Sequence, residues 1–184
     1  MNITEIYKTS PYLKFKNKTE FDKKIIGSEV YGEITEKGTN MIVNRFKEYF
    51  NQNTVFYDLG SGLSKMVIHI GIKYNVKESI GIEYSKERHQ GALFLKENYA
   101  KEYNNIKIYC KSFLDHDLSN ATVVYMDNTV YPNSINDKIY EKLSKGCLII
   151  YKKKFKNINE NQIKVENGTD RTYNQNYLYW IIKE

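Results

Sequence analysis

The segment Asp58-Leu59-Gly60-Ser61-Gly62 follows directly on the apolar run Val55-Phe56-Tyr57, and a second acid, Glu83, closes the next apolar run, Ser79-Ile80-Gly81-Ile82. The spacing reads as strand, tight glycine turn, helix and second strand, with a carboxylate at the end of each strand. Such a unit holds an adenosine-bearing cofactor. The glycines let backbone approach the ligand, and the second acid accepts hydrogen bonds from ribose hydroxyls. The turn has two glycines followed by Leu63-Ser64, not the three of G-x-G-x-x-G. That disfavours a dinucleotide and favours S-adenosylmethionine, which has no pyrophosphate to cradle. A purely structural βαβ unit is the alternative reading.

Around this unit the chain alternates strands and helices. Strands are expected over 54–57, 78–82, 106–110, 121–126 and 147–151, with two more over 162–166 and 177–182. Helices are expected over 65–74, 86–103 and 135–143, and Thr35 caps another running to about residue 49. Asn167-Gly168 is a turn signal in the loop between the last two strands. The fold class is therefore α/β, a doubly wound, mostly parallel seven-stranded Rossmann-like sheet with a short N-terminal helical arm. All 184 residues form one domain, with an arm and covering loop in 1–50 and the core in 51–184.

Composition narrows the class. No apolar stretch reaches the length of a membrane span, and the polar N-terminus lacks a signal-peptide pattern. The two cysteines, Cys110 and Cys147, both fall in strand-like runs and read as buried thiols of a reducing compartment. Neither a disulfide framework nor a metal site is expected, since the three histidines lack ligand spacing. An intracellular location, nuclear or cytoplasmic, follows. The net charge of +6 favours an acidic partner such as nucleic acid or a complex containing it.

In open α/β sheets, ligands sit at the carboxyl ends of the strands. Asp58–Gly62, Glu83-Tyr84, 111–114 and 126–131 should converge there. Asp58 would face the cationic end of the cofactor, the backbone of Gly60, Ser61 and Gly62 would pass beneath it, and Glu83 would hold the ribose. Ser112-Phe113 lies where adenine should lie, with Phe113 stacking on the ring. Asn128, after the fourth strand, carries an uncharged amide suited to orienting an amine acceptor. Capping a turn before Pro132 is its simpler role.

The order of these motifs resembles the non-SET histone lysine methyltransferases, the disruptor of telomeric silencing type. Glu29-Val30-Tyr31-Gly32-Glu33 looks like that family's cofactor-covering V-Y-G-E loop, at the same distance before D-L-G-S-G. Ser112-Phe113-Leu114 resembles its D-F-L segment, Val124-Tyr125-Met126-Asp127-Asn128 its V-N-N strand end, and Tyr177-Leu178 its Y-Y-L strand. The resemblance spans about residues 26–182. It implies cofactor contacts from Val30, Tyr31, Glu33, Asp58, Gly60, Glu83 and Phe113, with Asn128 touching both cofactor and acceptor. It implies a lysine channel lined by Asn128 and a C-terminal tyrosine, Tyr177 or Tyr173, with Tyr31 as a further channel candidate. Ser64 stands where the family has a glycine, Ser112 where it has an aspartate, and Ile26 where it has a channel phenylalanine. The family's long helical extension is absent, so the chain reads as a compact catalytic core of viral or otherwise minimal type.

The activity implied is S-adenosylmethionine-dependent methylation of a protein lysine, with histone H3 in nucleosomes as substrate and DNA contacted by the basic surface. A nucleic-acid or small-molecule methyltransferase on the same scaffold is the alternative, as is a noncatalytic binder that keeps the fold.

Overall fold

The computed structural model describes residues 3–9, 32–155, 161–164 and 177–184. Seven strands form one sheet: β1 (Val55–Leu59), β2 (Glu78–Glu83), β3 (Ile106–Cys110), β4 (Val123–Met126), β5 (Leu148–Tyr151), β6 (Asn161–Lys164) and β7 (Tyr177–Ile182). Their spatial order is β3-β2-β1-β4-β5-β7-β6. β1 to β5 are parallel, β7 runs antiparallel to β5, and β6 antiparallel to β7. The expected doubly wound, mostly parallel sheet is what forms.

Central strands read as unbroken apolar runs because helices or loops cover both faces. All five residues of β1 are buried, as are all four of β4 and of β5. On one face lie α1 (Ile3–Lys8), α2 (Glu36–Arg45), α3 (Lys65–Lys73) and α4 (Lys86–Tyr99), over a core built on Phe56, Val67, Ile70, Tyr125 and Ile150. On the other face α5 (Asn133–Lys142) and residues 113–118 cover Tyr57, Val124, Ile149 and Tyr151. Seven of the nine residues of α3 are buried, so this helix is apolar nearly all round. It packs so closely that a Cβ on Gly71 would lie 2.3 Å from Ile106 Cγ1.

Several boundaries move from those expected. β1 runs through Asp58 to Leu59, so the acid lies within the strand rather than in the turn. α4 stops at Tyr99, since the expected last turn, 100–103, leaves the helix. Thr35 does cap α2, accepting from Gly38 N–H at 3.1 Å, and the helix gives way to a 3₁₀ turn, Lys47–Tyr49. Cys110 is exposed at the end of the edge strand, contrary to the expectation of two buried thiols; only Cys147 is buried. Asn167-Gly168 lies outside the described residues. No helix among the described residues is long and apolar enough to cross a membrane.

Candidate active site

The chain winds outward from β1 through β2 to β3, then returns to the other side of β1 as β4. This reversal opens a crevice at the carboxyl ends of β1 and β4. There β1 runs into a turn where Gly60 has φ +88°, a conformation open to glycine without steric cost. A Cβ at this position would also lie 2.5 Å from the Tyr131 hydroxyl. The amides of Gly60 and Ser61 both donate to the Ile82 carbonyl, at 2.9 and 3.1 Å, tying the turn to β2.

Two serines complete the turn. Ser61 Oγ and Ser64 Oγ are buried 2.9 Å apart. They lie over Gly81, where a Cβ would come within 2.7 Å of one hydroxyl and 2.8 Å of the other. Ser64 has φ 56°, left-handed backbone that non-glycine residues seldom adopt. That conformation accounts for the glycine of the resembling pattern; here the hydroxyl pair offsets the strain.

Three carboxylates face this turn. Asp58 is buried, and burial, reinforced by Glu83 and Asp127, pushes its pKa up to about 8. The nearby basic side chains are engaged elsewhere: Arg88 with Glu83, Lys65 with Glu33, Lys152 with Asp127. A buried carboxyl facing two other acids is a receptor for positive charge. Glu83 accepts from Gly62 N–H on Oε2 (2.8 Å), and from Ser85 N–H (2.7 Å) and Arg88 Nη2 (3.0 Å) on Oε1. A carboxylate offers about four acceptor positions, so one is left for a ligand hydroxyl. The acids, the turn and the remaining acceptor suit S-adenosylmethionine, a cation with ribose hydroxyls.

An aromatic pair walls the crevice. Tyr131 donates its hydroxyl to the Leu59 carbonyl at 3.2 Å, and its ring packs on Phe113 with centroids 5.4 Å apart. Burial and the acids Glu83, Asp127 and Asp58 hold its phenol protonated. The sequence places Tyr131 at the end of the converging segment 126–131 and gives it no role of its own. Ser112 Oγ accepts from Leu114 N–H at 3.1 Å, capping the 3₁₀ turn Phe113–Asp115.

Asn128 differs from expectation. Its amide was assigned to the acceptor and cofactor, yet the side chain is fully buried and all four of its hydrogen-bonding positions are filled. Oδ1 accepts from the Lys152 and Lys153 amides at 3.0 and 2.7 Å. Nδ2 donates to the Lys153 carbonyl at 2.8 Å and to Asn136 Oδ1 at 3.3 Å. The amide staples the end of β4 to the segment after β5 and to α5. Its capacity is saturated by the fold.

The other expected residues are spread more widely. Val30, Tyr31 and Tyr173 lie outside the described residues. Glu33 is described, and its carboxylate meets Lys65 Nζ at 2.5 Å. Tyr177 is 45% exposed at the start of β7. The register sets Trp180 level with Asp58, so Tyr177 lies at the same edge, three strands or about 14 Å across the sheet and about 10 Å further along it. Two of the three histidines lie away from the crevice: His69 is buried beneath α1, and His116 packs against Tyr57 and Tyr109, while His89 follows Arg88 on α4, within reach of the Glu83 charge. Among the described residues no group of acids, histidines and cysteines is arranged to hold a metal.

Comparison with known proteins identifies the family and the fold. The family model "Histone methylation protein DOT1" matches residues 20–178. A protein-lysine N-methyltransferase of Saccharolobus islandicus (strain REY15A) is 31% identical over 137 residues, 71% of this chain and 81% of that one. Among solved structures, an RNA methyltransferase from Salinibacter ruber in complex with S-adenosyl-L-homocysteine superposes with a TM-score of 0.64. It is 22% identical, and the alignment covers 83% of this chain and 94% of that one. An S-adenosylmethionine-dependent methyltransferase from Thiobacillus denitrificans, also bound to S-adenosyl-L-homocysteine, gives 0.55 at 13% identity, over 80% and 57% of the two chains. At such identities these two likenesses speak for the fold.

Proposed function

The chain belongs to the DOT1 family of histone methylation proteins and is an S-adenosylmethionine-dependent methyltransferase; from that premise we propose that it methylates a protein lysine, in histone H3 on the nucleosome. The observation that carries this reading is the family match over residues 20–178, with the lysine methyltransferase relative in support.

When bound, the cofactor supplies an electrophilic methyl group. The chain's own residues do the rest. Asp58 holds the cationic end, the last acceptor position of Glu83 takes a ribose hydroxyl, and the Phe113–Tyr131 pair excludes water from one wall. Alignment removes much of the entropic barrier to an in-line displacement. The acceptor lysine must arrive neutral, and an aromatic, poorly hydrated channel lowers its pKa without a dedicated base. Tyr31 and Tyr177 are the channel residues in this proposal. Asn128 acts by fixing the strand end that carries Asp127 and leads to Tyr131. A nucleosomal substrate places the protein with chromatin, its +6 charge against DNA.

The test is to incubate the protein with labelled S-adenosylmethionine and nucleosomes, free histone H3 or RNA. Label on an H3 lysine, fastest in nucleosomes, is the expected result. Label confined to RNA would overturn the lysine reading, and equal rates on free H3 would remove the nucleosome from it.

A further inference from the structure

Lys65 violates two rules at once. It is 3% exposed, and it opens α3, in the first turn of a helix where the macrodipole disfavours a cation. Buried lysines are rare unless paired, and residues that break local rules cluster at functional sites. Its ammonium donates to Glu33 Oε2 and to the Thr9 carbonyl, both at 2.5 Å. These partners come from segments 32 and 56 residues away along the chain.

Each partner is itself anchored. Thr9 follows α1, which is held by the fully buried Ile6 and by the Tyr7 hydroxyl, 3.0 Å from both Thr39 Oγ1 and His69 Nδ1. Glu33 lies between Gly32 and Ile34; Ile34 is in the core, and Thr35 caps α2. Lys65 in turn follows Ser64, the last residue of the cofactor turn. One buried cation thus joins the N-terminal arm, the segment leading into α2 and the helix that carries the glycine turn.

We propose that Lys65 is a positioning residue for cofactor binding: acting through Glu33, it fixes the segment before α2 against the glycine turn and so completes that side of the cofactor pocket. It touches neither the methyl group nor the acceptor amine. Its effect falls on cofactor affinity and leaves the acceptor's KM unchanged. This rests on S-adenosylmethionine as cofactor and is independent of which acceptor is methylated.

The experiment measures S-adenosyl-L-homocysteine binding by calorimetry for Lys65→Met, Lys65→Arg, Glu33→Gln and the Lys65→Met/Glu33→Gln pair, with thermal melts alongside. Lys65→Met should bind about tenfold more weakly, which is about 1.4 kcal/mol. Lys65→Arg should recover most of that loss. The double variant should be no weaker than the weaker single one, because the two residues act as a unit. Hydrogen exchange at residues 32–35 should quicken in Lys65→Met while α5 is unchanged. Wild-type affinity in a folded Lys65→Met variant, or additive losses in the double variant, would overturn the proposal. If Lys65→Met does not fold, Glu33→Gln decides: unchanged affinity and unchanged exchange at 32–35 would overturn it equally. A failed lysine substrate assay leaves all of these readings intact.

Discussion

Asp58 and Asn128 are both buried at strand ends, and their surroundings assign them opposite parts. Among the described residues Asp58 has two acids nearby and no ion-pair partner; burial, reinforced by those acids, raises its pKa from 3.8 to about 8. In the free protein its carboxyl is therefore mostly protonated at neutral pH, and a cationic ligand binds best to the ionised form. Cofactor affinity should rise as pH climbs from about 6 to 8 and level off beyond it, and Asp58→Asn should lose that part of the pH dependence. Calorimetry at several pH values checks this; equal slopes in the two proteins would place the titration elsewhere. For the free fold the sign is reversed. The protonated carboxyl stabilises below pH 4, and that contribution is lost as pH rises through 8. Asn128, by contrast, has no capacity to spare. Asn128→Ala strips a partner from two amides, a carbonyl and the Asn136 side-chain oxygen, at about 1–3 kcal/mol for each such group left unpaired and dry. We expect urea unfolding to show a loss of about 2–4 kcal/mol. A variant as stable as wild type would show that the staple carries no weight.

Helices α1, α2 and α3 meet at one buried polar cluster, where Tyr7 bridges Thr39 and His69. The His69 ring is fully buried and stacks on Tyr74, and its Nε2 has no partner among the described residues. Burial, with Lys73 adding to it, lowers its pKa from 6.5 to about 4. The folded state therefore holds this imidazole neutral while the unfolded chain protonates it below pH 6.5. The stability it contributes is complete above that value and is lost as pH falls toward 4, to a limit of about 3 kcal/mol. Compared with His69→Gln, the wild-type protein should lose more stability between pH 7 and 4.5 in urea titrations. Parallel losses would show that the ring ionises without opening the packing. At the same scale the elements themselves were legible from the residues. Val55-Phe56-Tyr57 reads as a strand and forms β1, and Thr35 caps the helix it precedes, whereas the cap that Ser85 gives α4 emerged only from the structure. Ends were less legible: Asp58 is polar yet pairs with Gly81 within the sheet, because its carboxyl reaches a crevice at the strand end.

Across the whole molecule, charge is divided. The chain carries +6 while the crevice gathers Asp58, Glu83 and Asp127. In the proposed function the acids draw in the cofactor, and the basic remainder meets DNA. Nucleosome binding should then weaken steeply with salt, with a slope of about −0.9 in log K against log salt for every phosphate contacted. A flat response in electrophoretic titrations would exclude docking on DNA. The sequence by itself determined the sheet, the glycine turn and the edge where the acids gather. Those features rest on short-range periodicity and on residue types that few backbone conformations accept. Only the tertiary structure decided how the polar side chains are used. It engages the Asn128 amide with Lys152 and Lys153, buries Lys65 between Glu33 and Thr9, sets Tyr131 over Gly60 and leaves Cys110 exposed. Apart from the exposure of Cys110, each of these joins groups between 24 and 72 residues apart. A hydrogen bond needs its two atoms within about 3 Å, and only the folded chain brings such distant residues that close.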